Sequence, residues 1–193
     1  MNRLRSGDLI ENPRSGERIV LRQTAAETGG TLLTFDLFLA PGGRVPSGHV
    51  HPEQEETFRV IEGRMRFRVG GRAILAGAGQ TVRVAPGRRH SFANVGPGSA
   101  RLLVEVRPAL NMEELLQAAA TLGGEATGGA GVPRPLDLAL FLREFEREVR
   151  VPLVPRALVT ALTRPLACMA SALGLDARYR RARDGGQAGR PAP

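Results

Sequence analysis

Between Arg18 and Val106 apolar and polar residues alternate with the period of two that belongs to half-buried strands. The segment RMRFRV is the clearest case. Met65, Phe67 and Val69 fall on one face, and Arg64, Arg66 and Arg68 on the other, as on a strand with one solvated side. RIVLRQT, TLLTFDLFLAP, EETFRVIEG, RAILAG, QTVRVAPG, HSFANV and ARLLVEV are further strand-forming runs. They are divided by TGG, by the hairpin signal Gly70-Gly71, and by GRR and GPGS. Eight or so short strands at regular spacing predict a mainly β protein, an antiparallel barrel or sandwich.

After Pro108 the period lengthens to that of a helix. NMEELLQAAATL is predicted helical, with Asn111 as N-cap and Glu114 in capping-box position. GGEATGGAGVPRP reads as a flexible linker, near residues 123–135. LDLALFLREFEREVR is predicted as a continuous helix, with Glu144 and Glu148 one turn apart. In PRALVTALTRPLACMASALGL a stripe of Leu158, Leu162, Leu166 and Met169 is expected to be interrupted by Pro165. The organisation expected is a barrel over residues 1–110, a helical extension over 111–181 and a disordered Gly/Pro/Arg-rich tail over 182–193. Leu138, Phe141, Leu142 and Phe145 are the residues expected to cover an open edge of the sheet.

Composition narrows the picture. Hydrophobic residues make up 42% but aromatics only 4%, with no Trp, so the core is expected to be built from Leu, Val, Ala and Ile. The net charge of +8 raises the question of nucleic acid. All 27 basic residues are Arg, a compositional bias rather than a phosphate-binding face, and there is no helix-turn-helix signature. No nucleic-acid partner is expected. The single cysteine, Cys168, excludes an internal disulfide, fits a reducing compartment and is expected to be a buried small hydrophobe. With neither a signal-peptide core nor an uncharged apolar run of about 18 residues, the expectation is a cytoplasmic protein. Residues 136–181 combine apolar stripes with Arg, which admits membrane contact. Packing on the barrel or on a second copy is preferred, and a homodimer is expected.

The candidate chemistry is concentrated. Two of the three histidines, His49 and His51, stand one residue apart, so on a strand both imidazoles share a face. Glu53, Glu55 and Glu56 follow, and His90 opens a strand after the Pro86-Gly87 turn. Imidazole is the usual neutral ligand of divalent first-row metals, and a carboxylate adds charge. Three His and one Glu would hold such an ion with positions left open. Isolated surface histidines are the alternative, but every histidine of the chain would then have to fall into this pattern by chance.

Gly43, His49, His51, Glu56 and Gly63 match G-x5-H-x-H-x4-E-x6-G at each fixed position. Gly79, Gly87, His90 and Asn94 match G-x5-P-x-G-x2-H-x3-N, with Ala85 at the proline position and Pro86 one place late. These are the two motifs of the cupin superfamily, which the chain resembles over residues 43–94 and, by strand pattern, to about residue 107. The resemblance implies a cupin jelly-roll β-barrel followed by the α-helical extension, with a metal in the barrel mouth. Its ligands would be His49, His51, Glu56 and His90. Spacing to Gly63 and strand alternation, which turns Glu56, Phe58 and Val60 inward, select Glu56 over Glu55. Glu53 and Glu55 are then solvated, and Asn94 serves a turn.

A complete ligand set speaks for Fe, Mn, Ni or Zn and for open-site chemistry. Phe58, Met65, Phe67 and Phe92 would line an apolar substrate pocket. The expected function is an oxygenase-type enzyme acting on a small, largely apolar organic molecule, with Glu56 doubling as a base. The alternatives are a non-catalytic metal-stabilised small-molecule-binding or scaffold protein, and a cupin isomerase or polyketide cyclase.

Overall fold

The alternating segments form two antiparallel sheets in a computed structural model that describes residues 4–12, 15–45, 48–125, 135–152 and 156–174. The strands are β1 (Leu9–Asn12), β2 (Glu17–Gln23), β3 (Leu33–Leu39), β4 (Glu55–Glu62), β5 (Arg64–Val69), β6 (Arg72–Gly77), β7 (Thr81–Val84), β8 (His90–Asn94) and β9 (Ala100–Arg107). One sheet has the order β1-β2-β3-β9-β4-β7 and the other β6-β5-β8. Beside β8, isolated bridges join Arg44 to Ala93 and His49 to His90. This order, with strands remote in sequence hydrogen-bonded side by side, is the expected jelly roll. Only β1 was not foreseen: LIEN is too short and too polar to register as a periodic run.

Each alternation becomes an inward and an outward face. In β5 Met65 and Phe67 are fully buried while Arg64, Arg66 and Arg68 are exposed. Facing them across the barrel are Phe35 and Leu37 of β3, Phe58 and Val60 of β4, and Leu102 and Val104 of β9, all buried. β3 is covered on its outer face too, where the buried Asp36 accepts bonds from Arg22 of β2 and Arg101 of β9. A lone buried carboxylate would be costly, and the flanking arginines supply the compensating charge. The turn from β4 to β5 requires Gly63: its φ is +86°, and a Cβ there would stand 2.8 Å from the Cα of Ala100.

Three helices follow the barrel: α1 (Met112–Glu125), α2 (Pro135–Glu144) and α3 (Arg156–Ala172). Met112 and Leu115 of α1 join the core, and Glu113 accepts the Ala25 N–H from the loop after β2. α2 stops sooner than its periodicity predicts. Phe145 turns into the core, and residues 146–150 leave the helix so that Val50 and Arg150 exchange backbone hydrogen bonds of 3.2 and 2.8 Å. Glu148 therefore lies in the turn beyond α2, with its N–H donating to the Phe145 carbonyl at 3.1 Å. Phe145 is buried, whereas Leu138, Phe141 and Leu142 are only half-buried.

Two expectations for α3 are corrected. The helix runs through Pro165 without interruption, since the carbonyl left without a donor lies at exposed Ala161 and can reach water. Cys168 is exposed, because Ala167 and Ala170 take the inward positions where α3 packs on α2. The stripe of Leu158, Leu162 and Met169 likewise faces outward. The linker expected near 123–135 falls mostly on residues 126–134, and the tail over 182–193, both outside the described residues.

Asn94 staples the loop between β8 and β9 to the end of β3. Its amide donates to the carbonyls of Leu39, Ala40 and Gly98 and accepts from the Gly96 N–H, all while buried. Asn94→Ala removes all four bonds and leaves buried carbonyls unpaired. A loss of about 2–4 kcal/mol is expected in urea denaturation; a change below about 0.5 kcal/mol would show that this staple does not support the barrel.

Candidate metal centre

The register of three strands brings the cluster together. Glu56, the second residue of β4, lies opposite Val84 of β7 and Val106 of β9, with its side chain turned inward in step with Phe58 and Val60. His49 and His90 exchange backbone hydrogen bonds of 3.0 Å in each direction, which sets the first H-x-H residue beside the start of β8. His51 is held in turn by its carbonyl, which accepts the N–H of Gly87 at 2.8 Å. The Pro86-Gly87 turn thus anchors the H-x-H segment as well as launching β8.

The imidazole centroids are 4.3 Å apart for His49 and His90, 4.8 Å for His49 and His51, and 5.2 Å for His51 and His90. One nitrogen from each ring and one Glu56 oxygen all lie within 4.8 Å of one another. Glu56, His51 and His90 are buried, and His49 is half-buried. Glu56, the carboxylate that spacing singled out, is the one that lies among the three imidazoles. Glu55 is outside, 3.4 Å from Arg83, and Glu53 is an exposed partner of Arg147 at 2.7 Å.

The donor chemistry fits a cation. The Nδ1–H of His90 donates to the Arg88 carbonyl at 3.1 Å, and that of His51 donates to the Glu148 carbonyl. Each ring thereby presents Nε2 to the cluster, as metal-bound histidines do. Glu56 Oε2 then stands 2.8 Å from His90 Nε2 and 3.4 Å from His51 Nε2. The close pair is buried, and neither atom has an aligned hydrogen bond. Acceptors that face each other in a water-poor site repel unless a positive charge lies among them. In the metal-free cluster a proton on His90 supplies that charge; a divalent ion would take its place, and the four residues fit one.

The protonation of the metal-free cluster follows the same balance. Burial alone would raise the Glu56 carboxyl, but His51, His90 and His49 outweigh it and hold the group at about 2. Burial pushes His90 down, and the adjacent Glu56 carboxylate, with the Arg88 carbonyl, brings it above its ordinary value.

Phe58, Met65, Phe67 and Phe92 are buried core residues beneath the cluster. The Phe58 ring is 6.2 Å from His90, 5.1 Å from Phe92 and 5.3 Å from Phe67. A cavity of about 590 Å³ is formed by α2, α3 and residues 149–151, without any of the four cluster residues. Sequence reasoning did not identify Glu148. Its only local signal was helical periodicity, which pointed the other way.

Residues 36–106, which span most of this jelly roll and the whole cluster, match the family model described as Cupin domain. The particular relatives are of several kinds. Over 107 residues, 55% of this chain and 63% of the relative, the sequence is 32% identical to "Polyketide synthase CurC" of Streptomyces cyaneus. The chain therefore spans just under two thirds of that relative's length. Similar solved structures include a predicted oxalate decarboxylase from Thermotoga maritima, 22% identical with a TM-score of 0.47, covering 55% of this chain and 98% of that one. Another is KdgF from Halomonas sp., 14% identical with a TM-score of 0.47, covering 55% and 90%. Among the described residues no helix is long and apolar enough to cross a membrane.

Removal of single ligands tests the cluster directly. Wild-type protein dialysed against zinc or manganese should retain about one ion per chain by elemental analysis. His90→Ala and Glu56→Gln should lose most of it, whereas Glu53→Gln and Glu55→Gln should not. Equal occupancy in the Glu56 and Glu55 variants would contradict the assigned ligand.

A second prediction concerns pH. Because His90 is raised above 6.5 in the metal-free fold, its contribution to stability is full below about 6.5 and is lost as pH rises through its folded value. Glu56 is depressed from 4.5 to about 2, so its contribution is present above about 4.5 and is lost as pH falls toward 2. The cluster supports the metal-free fold most between those limits. An incoming ion must displace the His90 proton, so zinc should raise the melting temperature more at pH 8 than at pH 5.5. An equal increment at both would contradict this protonation scheme.

Proposed function

We propose that the chain is a metal-dependent enzyme of the oxygenase type, acting on a small, largely apolar organic substrate. The observation that carries this reading is the cluster of three imidazoles, two of them buried, and one buried carboxylate, with Nε2 of two rings turned to Glu56. A divalent ion in such a set supplies Lewis-acid and, for iron or manganese, redox chemistry to oxygen donors of a substrate. The protein's own part is to bind and orient that substrate. Phe58, Phe67, Phe92 and Met65, buried in the core below the cluster, are the residues this reading assigns to its apolar lining, suited to a flat molecule rather than a sugar phosphate. Glu56 is ligand and proton acceptor. The histidines keep it ionised at neutral pH, so it can accept a proton, and acidic hydrogens such as those of an enol or a carbon between two carbonyls suit it.

A second reading is favoured by the 32% identity to a relative named as a polyketide synthase. In it the same site directs cyclisation or isomerisation of a polyketide-like polycarbonyl chain, without net oxidation. Both readings use one ligand set and one substrate type, and they differ in oxygen. The outward stripe of Leu158, Leu162 and Met169 on α3 supports the homodimer as its cover.

An oxygen electrode separates the readings. Protein loaded with iron, manganese, nickel or zinc in turn is supplied with flavonol-like and 1,3-diketone substrates. Oxygen consumption matching substrate loss, reduced at least about 100-fold in His51→Ala, is the expected result. Equal conversion under argon would transfer the proposal to cyclisation. Tight metal binding without any turnover would favour the non-catalytic binding module.

A further inference from the structure

The cupin match ends at Val106, but the surroundings of the cluster do not. The two buried histidines are oriented from different sources. His90 is held by the carbonyl of Arg88, two residues away. His51 is held by the carbonyl of Glu148, 97 residues further along the chain.

Several contacts fix that distant carbonyl. Val50, between the two histidines, exchanges backbone hydrogen bonds with Arg150. Arg147 lies on Glu53, two residues beyond His51, with its closest approach at 2.7 Å. The Glu148 carboxylate, only 1% exposed, accepts the Asn111 backbone N–H at 3.1 Å and its side-chain amide at 3.2 Å. Asn111 is the residue just before α1, where a capping box would have offered its N–H to Glu114. Glu148 takes that N–H instead. A buried carboxylate with these two donors is an anchor whose removal leaves polar groups without partners.

We infer that Glu148 is a positioning residue for the metal centre: its carboxylate docks the 145–150 turn on Asn111, and its carbonyl then fixes the tautomer and orientation in which His51 presents Nε2. The inference rests on the metal-centre reading. Its consequence is reciprocal coupling. Docking of the extension strengthens metal binding, and a bound ion strengthens docking by the same factor. A residue that only stabilised the fold would lower the melting temperature and leave metal affinity and ligand geometry unchanged.

The full-length chain and the variants Glu148→Ala, Glu148→Gln and Asn111→Ala are compared with zinc and cobalt(II) as probes. Zinc affinity is measured by chelator competition, the cobalt site by its visible spectrum, and docking by hydrogen exchange at the Val50 and Arg150 amides. Glu148→Ala is expected to weaken zinc binding about ten-fold or more and to change the cobalt spectrum. Zinc should slow exchange at both amides in the wild type and lose this effect in the variant. Glu148→Gln keeps an acceptor for both Asn111 bonds and should restore most of the affinity. Asn111→Ala keeps the backbone bond and should fall between, and it carries the test if Glu148→Ala does not fold. Unchanged affinity and spectrum in Glu148→Ala or Asn111→Ala, with faster exchange at Val50 and Arg150, overturns the inference alone. A wild-type chain that binds neither ion overturns the metal centre and this inference with it.

Discussion

A carboxylate buried among three imidazoles is the constraint from which the rest of the structure follows. Glu56 is 6% exposed in a barrel whose interior is otherwise aliphatic and aromatic. Leaving such a charge uncompensated would cost several kcal/mol, and within the barrel His49, His51 and His90 are the groups that face it. The strand arrangement makes this possible. β4 must place Glu56 inward in register with Phe58 and Val60, β8 must begin at His90, and Arg44 and His49 must bridge to β8. A slip of one residue in β4 would turn Glu56 out and carry Phe58 and Val60 with it.

The same constraint explains why the helical part is more than an appendage. His51 needs an acceptor for Nδ1 if Nε2 is to face Glu56, and among the described residues no strand supplies it. The turn after α2 does, at the expense of the last helical turn that the sequence periodicity favours. Residues 145–150 leave the regular helix, with Phe145 and Val149 still bonded four residues back, and gain the Val50 bridge, the burial of Phe145 and the Asn111 anchor. A proposed enzyme whose ligand geometry is set partly from outside its cupin domain has a natural route by which the extension can tune metal affinity.

How much could be read from the chain alone divides along local and long-range interactions. β5 and β8 were legible because alternation and turn residues are local, and Glu56 was distinguishable from Glu53 and Glu55 because motif spacing and alternation agreed. β1 was not legible, since four residues carry too little pattern and its pairing with β2 decides it. Glu148 was assigned to a helix face because its partners, His51 and Asn111, lie 97 and 37 residues away. Cys168 and Pro165 failed for a related reason. Which face of α3 turns inward is set by α2, and a periodic stripe cannot say whether Leu158 and Leu162 or Ala167 and Ala170 will be covered.

The central claim is that one cation belongs among His49, His51, Glu56 and His90. Crystals grown with manganese or zinc, measured at the absorption edge of the metal, test it most directly through an anomalous difference map. A single strong peak within ligand distance of all four side chains is the predicted result. A map with no peak there, or with the ion bound instead by Glu53, Glu55 or the arginine-rich cavity of α2 and α3, would contradict it.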